Sequence, residues 1–305
     1  MKRLLFIAIV LVLGGWQCKA QETKMAEVLE ENLLPNGKLN GDIKQIQMAT
    51  YRYNYRFSKS DTLTHNGFFY SIFFFNKDNE CVRIKNYGDN HKLDSYTRLS
   101  YNKNGLLVKT RERGDGIFKL DHDYTYGINN RIEKEVFLRA FKHKHIYNDK
   151  GQLAKIVVHF KRKIWEVYTY KYDNNGNKIE ECQFDENNAL ESKTIYTYNS
   201  NGKVVEKCEF DAKGKSGDRV EYRYNDDNTL IEKIYCHSYG SKYVAKYDSK
   251  GREIESRGFD SDGRLNSITT YSYDSHQNVY KVESTKFYKD GEESLELDLF
   301  SIEYR

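Results

Sequence analysis

The feature that most constrains this chain is an internal repeat with a period near 25 residues. An aromatic residue precedes a short turn nine times, at intervals of 26, 25, 21, 25, 26, 26, 23 and 26 residues. These anchor residues are Phe75, Tyr101, Tyr126, Tyr147, Tyr172, Tyr198, Tyr224, Tyr247 and Tyr273. Four residues after all but the last anchor stands a residue that tolerates the positive φ of a tight hairpin turn. These turn residues are Asn79, Gly105, Asn130, Gly151, Gly176, Gly202, Asn228 and Gly251.

Each repeat contains two predicted strands. A second turn lies near the middle of several units, as at Phe184-Asp185 and Phe259-Asp260, and the intervening segments are rich in Tyr, Val, Ile and Thr. The sequence therefore predicts an all-β fold in which tandem β-hairpins form an elongated, twisted meander or an open spiral sheet. A β-solenoid with one coil per repeat is the alternative.

Two side-chain patterns follow from this repeat. Tyrosines two residues apart, such as Tyr170 and Tyr172, share one face of a strand and predict an aromatic ladder. That ladder is either a packed face or an exposed platform for sugars or peptides. Cys182 and Cys208 occupy equivalent places, which a meander would separate by ~9–10 Å, too far for a disulfide. A solenoid would bring them to ~5 Å, and the pairing of the four cysteines after the leader stays open.

Residues 1–20 have the pattern of a signal peptide, with two basic residues, an apolar run and a small residue, Ala20, for cleavage. The protein is therefore expected to be exported, periplasmic or secreted, with a lipid anchor on Cys18 as the alternative. Cleavage removes three basic residues and no acidic one, which lowers the net charge from +4 to +1 and predicts no nucleic-acid partner. The apolar run is too short for a transmembrane helix, and none is predicted later in the chain.

The remaining chain divides into two predicted parts. Residues 21–50 are an N-terminal cap with a short helix before Pro35, and residues 51–305 are a single repeat domain. Repeat arrays need atypical ends that protect their edges. The alternating leucines of Glu292–Arg305 are consistent with a closing strand.

The turn segments Tyr172–Ile179 and Tyr247–Ile254, together with Tyr-Asn variants at 101, 147, 198 and 224, resemble the YD repeats of Rhs proteins. The resemblance covers residues from about 70 to 280 and is closest to the small exported YD-repeat-like proteins of Bacteroidetes-type bacteria. It implies long winding β-sheets that bind partners or enclose a toxin domain.

Residues 141–163 form the most localised chemical feature, because they carry seven basic residues against Asp149 alone. Such a patch can capture an anionic glycan, a lipid headgroup or an acidic protein surface, whereas the alternative is a solvated strand face. The candidate ligand-binding residues are Lys142, His143, Lys144, His145, Lys161, Arg162, Lys163 and Trp165.

Motifs of catalysis are missing from the sequence, which has no phosphate loop, no Gly-x-Ser-x-Gly and no His-Glu-x-x-His. His143 and His145 share a strand face, but no further ligand is positioned to complete a metal site, so neither metal nor cofactor is predicted. We therefore expect an exported, non-enzymatic repeat scaffold that binds a glycan or a protein at the cell envelope. The alternatives are a polysaccharide-directed hydrolase and a purely structural assembly component, and the oligomeric state stays open.

Overall fold

The structure, a computed structural model, describes residues 39, 41–54, 68–88, 91–114, 119–289 and 293–305. These residues form twenty β-strands and one 3₁₀ turn, Ile128–Asn130. The strands are β1 (Ile43–Asn54), β2 (Phe68–Phe75), β3 (Cys81–Tyr87), β4 (Leu93–Tyr101), β5 (Leu107–Gly114), β6 (Lys119–Tyr126), β7 (Ile132–Phe137), β8 (Phe141–Tyr147), β9 (Leu153–Phe160), β10 (Lys163–Tyr172), β11 (Lys178–Phe184), β12 (Leu190–Tyr198), β13 (Val204–Asp211), β14 (Ser216–Tyr224), β15 (Leu230–Cys236), β16 (Lys242–Tyr247), β17 (Glu253–Phe259), β18 (Leu265–Tyr273), β19 (Val279–Phe287) and β20 (Glu293–Tyr304). The predicted signal peptide and cap helix lie outside the described residues, and the predicted domain boundary at residue 51 falls within β1.

The sheet is a closed antiparallel barrel. Each strand pairs with the next along the chain, and β1 pairs with both β2 and β20. Met48, for example, lies opposite Ser71 on one side and Phe300 on the other. The all-β prediction is confirmed, but the open meander or spiral and the solenoid alternative are wrong. Closure pairs the first strand with the last, so neither presents a row of unpaired backbone groups.

The anchor turns have the geometry that the repeat predicts. In the turn after Tyr172, the Asp173 carboxylate accepts the backbone N–H of Asn177, and Gly176 has φ +87°. All eight predicted turn residues have positive φ, and so does Gln277 of the last unit. The short polar side chain that follows the anchor thus fixes the hairpin locally, as Asx turns do, except after Tyr126, where the residue is Gly127.

Most anchor tyrosines tie the strand that they end to the strand before it. The Tyr172 hydroxyl donates to the backbone carbonyl of Leu153, the first residue of the neighbouring β9, at 2.8 Å. The same bond, at 2.5–2.9 Å, joins Tyr101 to Cys81, Tyr126 to Leu107, Tyr147 to Ile132, Tyr198 to Lys178, Tyr224 to Val204, and Tyr273 to Glu253. Tyr247 departs from the series, because its hydroxyl contacts a Glu253 carboxylate oxygen at 3.4 Å.

Side chains alternate between the inside and the outside of the barrel, as strand geometry requires. Burial on β8 shows the two faces most clearly, because Phe141, His143 and His145 are buried whereas Lys142 and Lys144 are exposed. The strand pairings carry these two faces around the whole sheet.

The outer face carries charged pairs across neighbouring strands. Lys171 lies opposite Glu180, with Nζ 2.6 Å from the carboxylate, and Arg223 pairs in the same way with Glu232 at 2.6 Å. Such exposed cross-strand pairs each contribute only ~0.2–1 kcal/mol. They place paired charges on the outer face of these strands.

Apolar side chains fill part of the barrel interior. The larger cluster joins β19, β20 and β1–β5 and includes the fully buried Ile46, Phe73 and Cys81. A smaller cluster of Phe141, Ile156, Val158 and Tyr168 lies on β8–β10. The apolar packing is thus concentrated where the two ends of the chain meet.

The cysteines follow the two-strand repeat. Cys182 lies on β11 and Cys208 on β13, with β12 between them, as Lys193 and Ile195 of β12 are their respective pairing partners. Both are free thiols.

The described residues contain no helix that is long and apolar enough to cross a membrane.

Candidate functional site

The inward-facing side chains of β10–β18 form a surface rich in tyrosine and charge, here called the polar wall. Its residues include Glu166, Tyr168, Tyr170, Glu181, Tyr196, Lys207, Glu209, Asp218, Tyr222, Tyr235, Tyr243, Ser256 and Tyr271. The Glu209 side chain is 44% exposed although it faces inward, and it forms an ion pair with Lys207 at 2.9 Å. The polar wall therefore contacts solvent inside the barrel.

Lys178 is the most enclosed cation of the polar wall. Its side chain is 4% exposed, and Nζ donates to Glu181 at 2.8 Å and to the Tyr196 hydroxyl at 2.9 Å. The same ammonium lies 4.1 Å from the ring centroid of Tyr196 and 5.7 Å from that of Tyr170. Burial, together with the Glu181 carboxylate, raises the pKa of Tyr196. Lys178 is therefore held as a charged group between two rings.

Glu253 is the matching buried anion on β17. Its carboxylate accepts hydrogen bonds from Tyr243 at 3.0 Å and from Tyr247 at 3.4 Å. Burial is the main reason that the pKa of Tyr243 is raised to about 12, so this hydroxyl stays protonated and can donate. The arrangement gives a buried carboxylate the partners that it needs.

A second carboxylate of the polar wall, Glu166, lies near the rim where β9 turns into β10. It accepts hydrogen bonds from Trp165 Nε1 at 3.0 Å and from the Tyr168 hydroxyl at 2.6 Å. Burial and the neighbouring carboxylates, Glu166 first among them, raise the pKa of Glu191 on β12. Gln183 donates to Glu191 at 3.0 Å and counteracts part of that rise.

Asp218 holds three donors at the same rim. The Tyr235 hydroxyl, the backbone N–H of Ser238 and the His237 ring lie 2.6, 2.9 and 3.1 Å from its carboxylate oxygens. Burial by itself would raise the pKa of Asp218, but these partners together lower it below its ordinary value. Asp218 is therefore a fixed carboxylate rather than an acid that exchanges protons near neutral pH.

A buried carboxylate between two histidines lies on the inner face of β6–β8. Glu135 Oε2 is 3.0 Å from His122 Nε2, and Oε1 is 3.0 Å from His145 Nε2 without good hydrogen-bond geometry. His143 is buried on the same face of β8. In the described part of the chain, no three histidine, cysteine or acidic side chains are arranged to hold a metal ion.

The structure divides the predicted basic site between the two faces of the sheet. His143, His145 and Trp165 point inward, and Trp165 packs edge-on against Phe160 at 5.8 Å between ring centroids. Lys142 and Lys144 point outward from β8. Lys161, Arg162 and Lys163 are exposed at the turn between β9 and β10. These eight residues thus do not form one surface.

Lys178 and Glu253 are site residues that the sequence patterns above did not single out. Both lie six residues after an anchor tyrosine, at the first position of a strand. In the other units this position is apolar, with Cys81, Leu107, Ile132, Leu153, Val204, Leu230 and Val279. When the repeats are aligned on their anchor residues, a charged residue stands in place of an apolar one in two units. This departure identifies Lys178 and Glu253 as candidate site residues.

Comparison with known proteins gives no family. No family model matches this chain, and no curated protein matches its sequence. Among solved structures, a porin-like protein from Bacteroides uniformis has 12% identity over 87% of this chain and 98% of that chain, with a TM-score of 0.39. A LolA superfamily protein from Nitrosomonas europaea has 7% identity over 95% of this chain and 94% of that chain, with a TM-score of 0.26. An outer membrane lipoprotein-sorting protein domain from Vibrio parahaemolyticus has 8% identity over 85% and 86%, with a TM-score of 0.25.

These likenesses are too weak to establish a shared fold or function. The resemblance to the YD repeats of Rhs proteins stays a prediction.

Proposed function

We propose that this protein is a non-enzymatic scaffold of the cell envelope whose barrel interior binds a glycan. The observation that carries the proposal is the polar wall, where inward-facing tyrosine rings recur on alternate strands beside carboxylates and lysines. Aromatic rings offer apolar faces to the C–H surfaces of sugars, while carboxylates and ammonium groups bond to hydroxyls. The location at the envelope rests on the signal-peptide pattern of residues 1–20.

The repeat of the wall favours an extended polymer over a compact ligand. Tyr170, Tyr196 and Tyr222 lie on β10, β12 and β14, so successive rings are two strand spacings apart, about 10 Å. A ligand that repeats along its length can use each ring in the same way. The charged side chains between the rings oppose an apolar chain such as a lipid tail, because burial of their charges against it would be costly.

The test is affinity electrophoresis of the purified protein in gels that contain bacterial or plant polysaccharides. Tyr170→Leu and Tyr222→Leu remove two rings whose hydroxyls make no hydrogen bond within the described residues, so neither change leaves a hydrogen-bonding group without its partner. Lys178 and Lys233, which lie 5.7 and 5.8 Å from these ring centroids, keep their other contacts. Each substitution should weaken retention by the bound polysaccharide about tenfold.

The matched control is Tyr239→Leu, which removes a tyrosine that is 69% exposed on a turn. It should leave retention unchanged. Retention that is equal in all three variants, with circular dichroism showing an intact barrel, would refute binding at the polar wall. If no polysaccharide is retained and a protein partner is, the ligand of the polar wall is that protein and not a glycan.

One observation favours the hydrolase as a second candidate. Glu191 is exposed on β12 and accepts a hydrogen bond from Gln183, and desolvation followed by the charge of Glu166 raises its pKa, which is the direction that a general acid requires. Polysaccharide cleavage, measured as release of reducing ends, that Glu191→Gln abolishes would establish this function. Asp262→Asn, on the exposed turn between β17 and β18, is the control that should retain such activity.

A further inference from the structure

Two neighbouring hairpin turns on one rim of the barrel have an unusual backbone. The turn between β7 and β8 places Leu138 at φ +50° and Arg139 at φ +57°, and the turn between β9 and β10 places Lys161 at φ +47° and Arg162 at φ +73°. Long side chains rarely adopt this left-handed region, because the Cβ atom crowds the backbone. The described turns between β11 and β18 on the same rim each use one such residue, Asn188, Gly214, Gly240 or Gly263.

These turns present both charge and apolar surface. Leu138 is 41% exposed and Ile164 is 47% exposed, and the side chains of Lys161 and Arg162 between them are also exposed. The turns are joined by a hydrogen bond from the Lys161 N–H to the Ala140 carbonyl at 3.1 Å. The group Leu138, Arg139, Lys161, Arg162, Lys163 and Ile164 is here called the basic rim.

Charges of the basic rim lack the cross-strand acidic partners that some basic residues of the outer face have. Elsewhere Lys171 and Arg223 each lie opposite a glutamate. Within the described residues, no basic side chain of the basic rim lies within ion-pair distance of a carboxylate. Arg139 adds to the lowering of the Asp121 pKa that the Arg113 hydrogen bond mainly causes, and Lys161 Nζ lies 5.3 Å from the ring centroid of Phe160. On the strands that lead to it, Lys134 lies directly opposite Lys144, again without an acidic partner. Two like charges opposite each other destabilise a sheet, so an external anion would relieve this region.

We propose that the basic rim docks the protein on an anionic lipid membrane surface. Lipid phosphates would neutralise Lys161, Arg162 and Lys163, while Leu138 and Ile164 would enter the boundary between headgroups and acyl chains. A soluble anion would use the charges but not the two exposed apolar side chains, which is why a lipid surface fits better.

The experiment is co-sedimentation of the full protein with phosphatidylcholine vesicles that contain or lack phosphatidylglycerol. Binding should require phosphatidylglycerol and weaken as salt rises. The variant K161Q/R162Q/K163Q should lose about 100-fold in affinity, because each basic group near an anionic surface contributes about fivefold. The variant L138N/I164S, which keeps every charge, should lose affinity for vesicles but not for the soluble polyanion dextran sulfate.

The matched control is K213Q/K215Q, which removes two exposed lysines from the turn between β13 and β14 on the same rim. It should bind vesicles as the unaltered protein does. Equal binding to both kinds of vesicle, or full binding by K161Q/R162Q/K163Q, would overturn the proposal. If L138N/I164S binds vesicles as the unaltered protein does, the basic rim binds anions through charge alone and does not insert into the lipid surface.

Discussion

The anchor tyrosine bond can be tested at Tyr172, the last residue of β10. Tyr172→Phe removes one hydroxyl and keeps the ring, so the change isolates the 2.8 Å hydrogen bond to the Leu153 carbonyl. A hydrogen bond of this kind contributes ~0.5–1.5 kcal/mol net, and a carbonyl left without a partner costs ~1–3 kcal/mol. Tyr172 and Leu153 are both half-buried. Water can therefore reach the site in part, and we expect a loss of about 1–2 kcal/mol in the free energy of unfolding.

The assay is urea unfolding followed by circular dichroism and tyrosine fluorescence. A loss of this size should shift the midpoint without changing the slope, because the surface exposed on unfolding stays the same. The matched control is Tyr247→Phe, the anchor whose hydroxyl contacts Glu253 at 3.4 Å instead of a backbone carbonyl. It should cost clearly less than Tyr172→Phe, since a hydrogen bond that long is weak and Glu253 keeps its 3.0 Å bond from Tyr243. Equal losses for the two substitutions would refute the role assigned to the backbone bond.

Three further predictions concern turns, acid and thiols. Arg162→Gly should raise the free energy of unfolding by about 1 kcal/mol because glycine relieves the strain at φ +73°, whereas Gly214→Ala, at φ +77° with no neighbouring atom, should lower it by a similar amount in the same urea assay. The folded pKa of Asp218 lies below its ordinary value, so its ionised form stabilises the folded protein above pH ~4, and this stabilisation is lost as pH falls through the folded pKa. The urea midpoint should therefore decrease less on acidification in Asp218→Asn than in the unaltered protein. Burial raises the pKa of the Cys81 thiol to about 12, so mass spectrometry should find it unmodified by iodoacetamide at pH 8 until urea is added, and fast labelling of the folded protein would contradict this burial.

Local chemistry made the hairpins predictable. An aromatic residue, an Asn or Asp and a residue that tolerates positive φ recur within five positions in every unit but that of Tyr126, and these turns are stabilised by their own short side chains, as Asp173 shows. Closure could not be read in the same way. The partner of β1 is β20, about 250 residues later, and the alternating leucines of β20 are equally suited to an edge strand and to a paired one. Only the accumulated twist and tilt of all the strands decide whether the ends meet.

The candidate site shows the same division between local and distant information. The run from Lys142 to His145 looks like one basic surface in the sequence, but the period of two along a strand sends the lysines outward and the histidines inward. The partner of His145 is Glu135 on β7, which depends on strand register rather than on spacing. Lys178 was accessible to sequence reasoning, because only an alignment of the repeats is needed to see a charge at an apolar position.

The pairing of β1 with β20 has a consequence for how the chain reaches its final form. Strands that are neighbours in the sequence can pair as soon as both have been synthesised. The pairing of β1 with β20 can form only after β20 is present. Until then β1 carries an open edge that the corresponding edge of another molecule can occupy, so two copies can cross-pair instead of closing on themselves. The folding yield of this protein should therefore fall with concentration more steeply than its stability alone would suggest.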